Sequence, residues 1–255
     1  MIRFILLFLL LPLALTCKEK ALKVGMELAY PPFETICPDG LPCGISVDIA
    51  KDLGKYLHRK TVIENIPFIG LVPSLKTEKI DAIISSMTIT PGRKRSINFS
   101  MPYATIGLSL LISEDSTVHG IEDVNKEGMK VVVKSGTSGE VYAAKNLPLA
   151  RIRILDKESM CVLEVVQGKA DVFIYDQLSI YRNWQRNLST TRVNLKSFQN
   201  EYWGIGIAKD NPELLSEVNS FIEEYHKKDR FNKLAKKYLS KELSAFKELE
   251  IPFIF

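Results

Sequence analysis

Short apolar runs alternate with amphipathic segments along most of this chain. LKVGM (22–26), DAIIS (81–85) and KVVVK (130–134) have the length and character of short buried strands. Apolar residues recur at helical spacing over 46–57, and 71–76 predicts a shorter helix with a proline near its start. This alternation of strands and helices predicts a mainly parallel sheet covered by helices.

The same rhythm begins again after the first unit and predicts a second one. The β-prone stretches near 106–113 and 199–207 would carry the chain to the second unit and back. We therefore predict an α/β, two-lobed fold in which two mainly parallel sheets are joined by a two-stranded hinge. Lobe 1 would comprise 17–108 and 204–255, and lobe 2 would comprise 109–203. The other predicted elements are strands at 61–65, 151–155 and 171–175, and helices at 138–146, 157–166, 212–225 and 230–239.

The first residues have the layout of an export signal. Arg3 precedes an apolar run that ends at Leu15, and the chain becomes polar after Cys17. The run is short for a membrane span, so we predict a signal peptide at 1–16 and an extracytoplasmic mature chain. Cys17 would be lipidated and would anchor the protein to the membrane. The residues before Cys17 depart from the usual small-residue pattern, so a periplasmic protein without lipid is the alternative.

Composition excludes several other classes of function. The chain has 255 residues, 25% of them charged, and a formal net charge of +4, which is too mild and dispersed to indicate nucleic-acid binding. The three histidines, at 58, 119 and 226, have no metal-ligand spacing, so we expect neither a metal nor a cofactor.

The cysteines fit an exported protein. Cys37 and Cys43 stand at the ends of the loop CPDGLPC, and we expect a disulfide between them. Two free thiols are the alternative. Cys161 has no remaining partner, and its apolar neighbours indicate a buried thiol.

Unusual polar residues follow several of the predicted strands. Because ligands in open α/β sheets bind beyond the carboxyl ends of the strands, these residues should share one cleft. An arginine and free amides at a helix start suit a carboxylate, an aspartate suits an ammonium, and an aromatic wall with a further acid suits a side chain. This set of groups predicts a site for a free α-amino acid. The residues concerned are Glu27, Tyr30, Phe33, Ser85, Ser86, Thr88, Arg93, the SGTSG turn at 135–139, and Asp176.

Six motifs occur in a characteristic order between residues 22 and 240. They are ELAYPPFE, GISVDIA, LVPSLKTEKIDAIISSMTITPGRK, INFSMPY, VVVKSGTSGE and ADVFIYDQ. Together they resemble the periplasmic solute-binding proteins of polar and basic amino-acid ABC transporters, of the family 3 type. The resemblance implies a monomer that captures an amino acid by hinge closure and delivers it to the membrane subunits of an ABC permease. The alternatives are a dehydratase-type enzyme on the same scaffold and a sensor ectodomain.

The resemblance also implies roles for individual residues at the amino-acid head. Arg93 would clamp the α-carboxylate with two parallel hydrogen bonds, a geometry that lysine cannot supply. Thr88 and the backbone at Thr137 and Ser138 would donate further hydrogen bonds to the carboxylate. Ser86, largely through its carbonyl, and Asp176 would accept hydrogen bonds from the α-ammonium. The full set of implied ligand-binding residues is Glu27, Tyr30, Phe68, Ser85, Ser86, Thr88, Arg93, Thr137, Ser138 and Asp176.

For the ligand side chain, the resemblance implies an aromatic pair and an acid. Tyr30 and Phe68 would hold the side chain between their rings, and Glu27 would face its distal end. Glu27 could equally pair with a local lysine. The aromatic pair and the acid favour a basic ligand, with arginine ahead of lysine and glutamine as the alternative. The tail over 241–255 extends past the usual end of these proteins, and its pattern indicates no role.

Overall fold

Strands and helices alternate along the chain in a computed structural model that describes residues 20–252 and residue 255. The predicted signal peptide at 1–16 and the predicted lipidation site at Cys17 lie outside the described residues. The strands are β1 (Leu22–Met26), β2 (Ala29–Tyr30), β3 (Glu34–Ile36), β4 (Pro42–Cys43), β5 (Thr61–Asn65), β6 (Ala82–Ile83), β7 (Asn98–Phe99), β8 (Ala104–Ser113), β9 (Lys130–Lys134), β10 (Arg151–Leu155), β11 (Val172–Asp176), β12 (Thr191–Trp203) and β13 (Gly206–Ile207). The helices are α1 (Ile45–Tyr56), α2 (Leu71–Lys76), α3 (Pro91–Ser96), α4 (Ser138–Asn146), α5 (Glu158–Val166), α6 (Gln177–Arg186), α7 (Pro212–Lys227), α8 (Arg230–Tyr238) and α9 (Ser240–Glu248).

Lobe 1 is built on a five-stranded sheet with the order β5-β1-β6-β13-β7. Strand β1 is parallel to β5 and β6, and β13 is antiparallel to β6 and β7. Ala82 packs in the core under α1, whereas its neighbour Ile83 packs in the cluster under α2. Successive residues of a strand face opposite sides of the sheet, so both faces are covered, which explains why these strands are apolar without alternation.

Lobe 2 repeats this plan with the strand order β10-β9-β11-β8-β12. Strands β9, β10 and β11 are parallel, and β8 is antiparallel to β11 and β12. Val131 and Val133 pack on one face of the sheet, and Val132 packs on the other. Strand β12 begins at Thr191, well before the β-prone stretch predicted near 199–207.

The lobes are joined by two neighbouring strands. Strands β8 and β12 pair from Thr191 opposite Ser113 to Trp203 opposite Ala104. Ile106 packs in the core of lobe 1, whereas Leu108 packs in the core of lobe 2. The chain therefore changes lobe inside a hydrogen-bonded ladder, which can bend as one unit and does not behave as a loose tether.

A small antiparallel sheet of β2, β3 and β4 lies beside lobe 1. A disulfide joins Cys37 and Cys43, whose Cα atoms are 5.8 Å apart. Cys161 is a free, buried thiol in α5, and burial raises its pKa to about 12. This thiol is therefore protonated and unreactive at neutral pH.

The C-terminal segment forms α9 and touches both lobes. Phe246 is 1% exposed and packs edge-to-face against Tyr181 of α6, with the ring centroids 5.6 Å apart. Glu242 of α9 pairs with Arg182 of α6 at 3.3 Å. Helix α6 follows the lobe 2 strand β11, whereas α8, which precedes α9, packs on α1 of lobe 1. The segment therefore ties the two lobes together outside the hinge.

Candidate functional site

A cavity lies between the lobes, where strands of both sheets reach their carboxyl ends. The ten residues for which the sequence predicted a ligand role all line this one cavity: Glu27, Tyr30, Phe68, Ser85, Ser86, Thr88, Arg93, Thr137, Ser138 and Asp176. Six further residues complete the lining: Glu34, Leu108, Lys134, Tyr175, Glu201 and Trp203. The fold thus gathers the predicted residues in one place, while their contact with a ligand stays a prediction.

Arg93 lies in the short helix α3, which was not among the predicted elements. Thr90 caps this helix by accepting a hydrogen bond from the Arg93 backbone N–H at 3.2 Å. The guanidinium donates to the carbonyl oxygens of Thr88, at 2.6 Å, and Gly136, at 2.8 Å. Since Gly136 belongs to lobe 2, this side chain links the lobes. Burial lowers the pKa of Arg93 to about 10 against the opposing effect of Glu201, so the guanidinium is charged at neutral pH.

The SGTSG turn brings backbone groups of lobe 2 to the cavity. Gly136 has a φ of +75°, and a Cβ there would lie 3.3 Å from the Cα of Ile69 in lobe 1. Glycine therefore allows both the turn and the close approach of the lobes. Thr137 caps α4 by accepting a hydrogen bond from the Glu140 N–H at 3.4 Å. Thr137 and Ser138, the first residue of this nine-residue helix, line the cavity, where the helix dipole favours an anion.

Asp176 ends β11 and begins α6. Its carboxylate caps the helix by accepting a hydrogen bond from the Ser179 N–H at 2.9 Å. The side chain is buried and lines the cavity, so capping and lining coexist in this residue. Burial is the main cause that raises the pKa of Asp176, although its hydrogen bonds act in the opposite direction. An arriving ammonium would relieve that cost by pairing with the carboxylate.

Glu34 is a buried acid that sequence reasoning missed. It is 1% exposed, and its carboxyl oxygens accept hydrogen bonds from the hydroxyls of Ser85, at 3.2 Å, and Ser86, at 3.1 Å. Burial raises the pKa of Glu34 to about 8. Glu34 is the last residue of the motif ELAYPPFE, so the motif contained it, but a lone glutamate after a turn is ordinarily a surface residue.

Glu27 pairs with a lysine, but with a distant one. The ammonium of Lys134, 107 positions away, forms a short ion pair with one carboxylate oxygen of Glu27. The other oxygen accepts a hydrogen bond from the Phe68 N–H at 3.3 Å. The side chain of Lys134 is 3% exposed and that of Glu27 is 14% exposed. The sequence analysis assigned no role to Lys134. Its position at the end of β9, directly before the SGTSG turn, is the feature that could have indicated one.

The two predicted aromatic residues have different surroundings. The ring of Tyr30 stacks on Phe33 at 5.3 Å and meets Trp203 edge-on at 6.1 Å. The ring of Phe68 has two cations of the protein over it, the Arg93 guanidinium and the Lys134 ammonium, each 5.3 Å from the ring centroid. Both aromatic residues border the cavity, but the face of Phe68 is already shared with these cations.

Glu201 joins hydroxyl groups from both lobes. One carboxylate oxygen accepts hydrogen bonds from Thr88 of lobe 1, at 3.0 Å, and Ser138 of lobe 2, at 2.7 Å. The other oxygen accepts a hydrogen bond from Gln199 at 2.6 Å. Glu201 lies in β12 and is 5% exposed. Glu201 lies within the β-prone stretch predicted near 199–207, but the sequence analysis assigned no site role to that crossing and therefore missed this residue.

Comparison with known proteins identifies the class of this cavity. The model of the bacterial extracellular solute-binding proteins, family 3, matches residues 22–241. The chain is a family 3 solute-binding protein. This family serves amino-acid ABC transporters, and the homologues of this chain are non-enzymatic binding proteins of such transporters. The solute-binding protein therefore binds an amino acid for an ABC transporter, and its two-lobed α/β fold is that of periplasmic binding proteins.

Relatives of the solute-binding protein bind different amino acids. It is 28% identical to the L-cystine-binding protein TcyJ of Escherichia coli, over 89% of this chain and 86% of the relative. It is 28% identical to the L-arginine-binding protein of Pseudomonas aeruginosa, over 87% of this chain and 89% of the relative. An ancestral arginine-binding protein bound to glutamine has a TM-score of 0.79 and 29% identity, and the match covers 86% of this chain and 97% of that one.

Within its described residues, the chain shows neither a membrane-spanning helix nor a cluster of metal ligands. Over residues 20–252, no helix of the solute-binding protein has the length and apolar character needed to cross a membrane. The histidine, cysteine, aspartate and glutamate side chains of the described residues form no group that could hold a metal ion.

Proposed function

We propose that the cavity holds the α-carboxylate and α-ammonium groups of one free amino acid between the lobes. One observation carries this proposal: a partly buried arginine of lobe 1 and a buried aspartate of lobe 2 border the same cavity. The carbonyls of Thr88 and Gly136 use two of the five N–H donors of Arg93, which leaves donors for a carboxylate. Asp176 caps α6 with one oxygen, and its other oxygen can accept from an ammonium.

The hydroxyl groups around the head have protein partners, so backbone groups complete the proposed clamp. The hydroxyls of Thr88 and Ser138 both bind Glu201. Those of Ser85 and Ser86 both bind Glu34. In our proposal the N–H groups at the start of α4 donate to the carboxylate, and the carbonyl of Ser86 accepts from the ammonium.

Closure of the lobes would bury the ligand and create the surface that the permease recognises. A ligand favours the closed form only if it binds that form more tightly than the open one. Arg93 and Asp176 satisfy this requirement because they lie on opposite lobes and a single amino acid would touch both. Partnership with the membrane subunits of an ABC permease follows from membership of the family, and we propose it here for a monomeric protein.

The identity of the ligand's side chain is a separate part of the proposal. The sequence favours arginine, then other basic amino acids, with glutamine as the alternative. Arginine, cystine and glutamine are each supported by a similar protein. One relative is named for cystine and one for arginine, and an ancestral arginine-binding protein has been solved with glutamine bound. The preference for a basic ligand rests on the aromatic pair and on Glu27. Glu27 already has a cationic partner in Lys134, and the ring of Phe68 already has two cations of the protein over it. We therefore place side chains without net charge, such as that of glutamine, ahead of arginine.

Calorimetric titration of the ligand-stripped protein tests the proposal. Arginine, lysine, glutamine and cystine are added to the wild type, to Arg93→Ala and to Arg95→Ala, a control on an exposed residue of the same helix. We expect at least one amino acid to bind the wild type with a micromolar Kd or tighter, about −8 kcal/mol. Arg93→Ala should weaken binding about 30-fold or more, because it leaves a buried carboxylate unpaired. Failure of every amino acid to bind, or equal binding by Arg93→Ala, contradicts the proposal.

We propose that the mature protein begins at Cys17 and works outside the cytoplasm, lipidated at that residue. The charged start, the apolar run and the polar switch after it support this location. The intact mass of protein purified from native membranes tests it. A mass that includes residues 1–16 and no acyl chain would exclude both processing and lipidation.

A further inference from the structure

Ser86 has a backbone conformation that a residue with a side chain rarely adopts. Its φ is +48°, in the left-handed region that favours glycine. The residue lies in the loop that follows β6, and it lines the cavity. Such a conformation costs free energy and persists only where the surrounding structure holds the residue in it. A specific contact must therefore keep Ser86 in place.

Among the residues that the structure describes, no backbone partner holds Ser86. The segments on either side of it are held. The Ile84 N–H donates to the carbonyl of Gly25 at 3.2 Å, and the carbonyl of Met87 accepts from the Gly204 N–H, also at 3.2 Å. The loop is thus fixed before and after Ser86, and the conformation of Ser86 itself depends on its side chain.

Glu34 is the partner of that side chain. The Ser86 hydroxyl donates to one carboxyl oxygen of Glu34 at 3.1 Å, and the Ser85 hydroxyl donates to the other at 3.2 Å. The oxygen of the Ser85 hydroxyl also accepts from the Glu27 N–H at 3.0 Å. Glu34 is 1% exposed and belongs to β3, which pairs with β2 on one side and β4 on the other. The carboxyl is therefore a fixed point to which two successive residues of the loop are attached.

We propose that Glu34 is a positioning residue that holds Ser86 in the left-handed conformation, so that the Ser86 carbonyl is in place before the ligand arrives. This inference rests on the proposed function, in which that carbonyl accepts a hydrogen bond from the α-ammonium. Without Glu34, Ser86 would relax to a less strained conformation in the empty cavity. The ligand would then lose binding free energy in returning it to the strained one.

Substitution of Glu34 is the first test. Arginine, lysine, glutamine and cystine are titrated calorimetrically into the wild type, and the one that binds most tightly is used for every variant. Glu34→Ala should weaken its binding about 10-fold, which corresponds to about 1.4 kcal/mol. Glu34→Gln should recover most of that loss, because a carboxamide can accept from one hydroxyl and donate to the oxygen of the other. Glu127→Ala, at an exposed position, is the control and should bind as the wild type does.

Substitution of Ser86 separates positioning from a general loss of structure. Ser86→Ala and Ser86→Gly remove the same hydroxyl, but glycine adopts the left-handed conformation without a steric cost. Ser86→Ala should therefore bind the ligand about 10-fold more weakly than Ser86→Gly. In the Ser86→Gly background, Glu34→Ala should weaken binding by less than about 3-fold, since no strained residue is left to hold. A purely structural role of Glu34 would give the same loss in both backgrounds.

The outcomes distinguish this inference from the proposed function. Thermal unfolding shows whether each variant folds, and if Glu34→Ala does not fold, the comparison of Ser86→Ala with Ser86→Gly decides. Equal binding by the wild type and Glu34→Ala, or equal binding by Ser86→Ala and Ser86→Gly, overturns the positioning role and leaves amino-acid binding intact. An equal loss from Glu34→Ala in both backgrounds overturns it as well. Failure of all four amino acids to bind the wild type overturns the proposed function and this inference together.

Discussion

Glu34 is a carboxylic acid whose neutral form is favoured by its position inside the protein. It is 1% exposed and holds the hydroxyls of Ser85 and Ser86. Burial is the largest influence on it and raises its pKa from 4.5 to about 8, although neighbouring hydroxyls and Lys134 act in the opposite direction. We therefore expect Glu34 to carry a proton at neutral pH, and its replacement by glutamine to preserve its shape.

The raised pKa makes stability depend on pH with a definite sign. Between pH 4.5 and about 8 the folded protein keeps the Glu34 proton that the unfolded chain has released. The unfolding free energy therefore falls as the pH rises through this window. Below the window Glu34 is protonated in both the folded and the unfolded chain, and its burial then carries no ionisation cost. Each pH unit inside the window is worth about 1.4 kcal/mol, so the whole window corresponds to about 5 kcal/mol.

Urea unfolding of the wild type and Glu34→Gln at pH 5, 6, 7 and 8 measures this effect. We expect the variant to gain about 1.4 kcal/mol relative to the wild type for each pH unit, because its side chain does not titrate. Glu127→Gln, at an exposed position, is the matched control and should keep a constant difference from the wild type. Parallel pH profiles for the wild type and Glu34→Gln would show that Glu34 is not held neutral, and the reasoning from its burial would fail.

Two further predictions concern stability. Phe246→Ala should lower the unfolding free energy by about 3–5 kcal/mol, because it removes a ring that is 1% exposed and packs on Tyr181. An unchanged urea midpoint would mean that α9 does not pack on lobe 2. Replacing both Cys37 and Cys43 by serine should cost about 2 kcal/mol, since the bridge closes a loop of six-residue separation. Peptide mapping without reduction checks the bridge, and equal stability of the double variant would contradict its contribution.

Local hydrophobic pattern was sufficient to predict most of the framework. KVVVK forms β9 at 130–134 as predicted, because three consecutive valines can be buried only where both faces of a sheet are covered. The helices α2 and α4 begin and end at the predicted residues, 71–76 and 138–146. Such periodicity is a local property, so no knowledge of the tertiary structure was needed to detect it.

The connections across the cavity could not be predicted in this way. The partner of Glu27 lies 107 positions away, and the carbonyl that Arg93 reaches in lobe 2 lies 43 positions away. The side chain of Glu34 is buried, although a glutamate is ordinarily a surface residue. Helix α9 was not predicted, because its buried face is set by the contact of Phe246 with Tyr181 of the distant helix α6. In each case, packing between distant segments decides the position of the residue.

The contacts between the lobes also limit what a ligand can add. Arg93 reaches the carbonyl of Gly136, Lys134 reaches Glu27, and Glu201 holds hydroxyls from both sides, so polar groups of the protein hold the closed form. Opening the cleft breaks these contacts, and the groups then regain water, so each contact contributes only a modest net free energy to closure. A ligand shifts the equilibrium between open and closed forms only by its differential affinity for them. An amino acid that binds beside these contacts therefore adds to the stability of the closed form. One that must displace Lys134 from Glu27 loses part of its binding free energy, because that ion pair is broken.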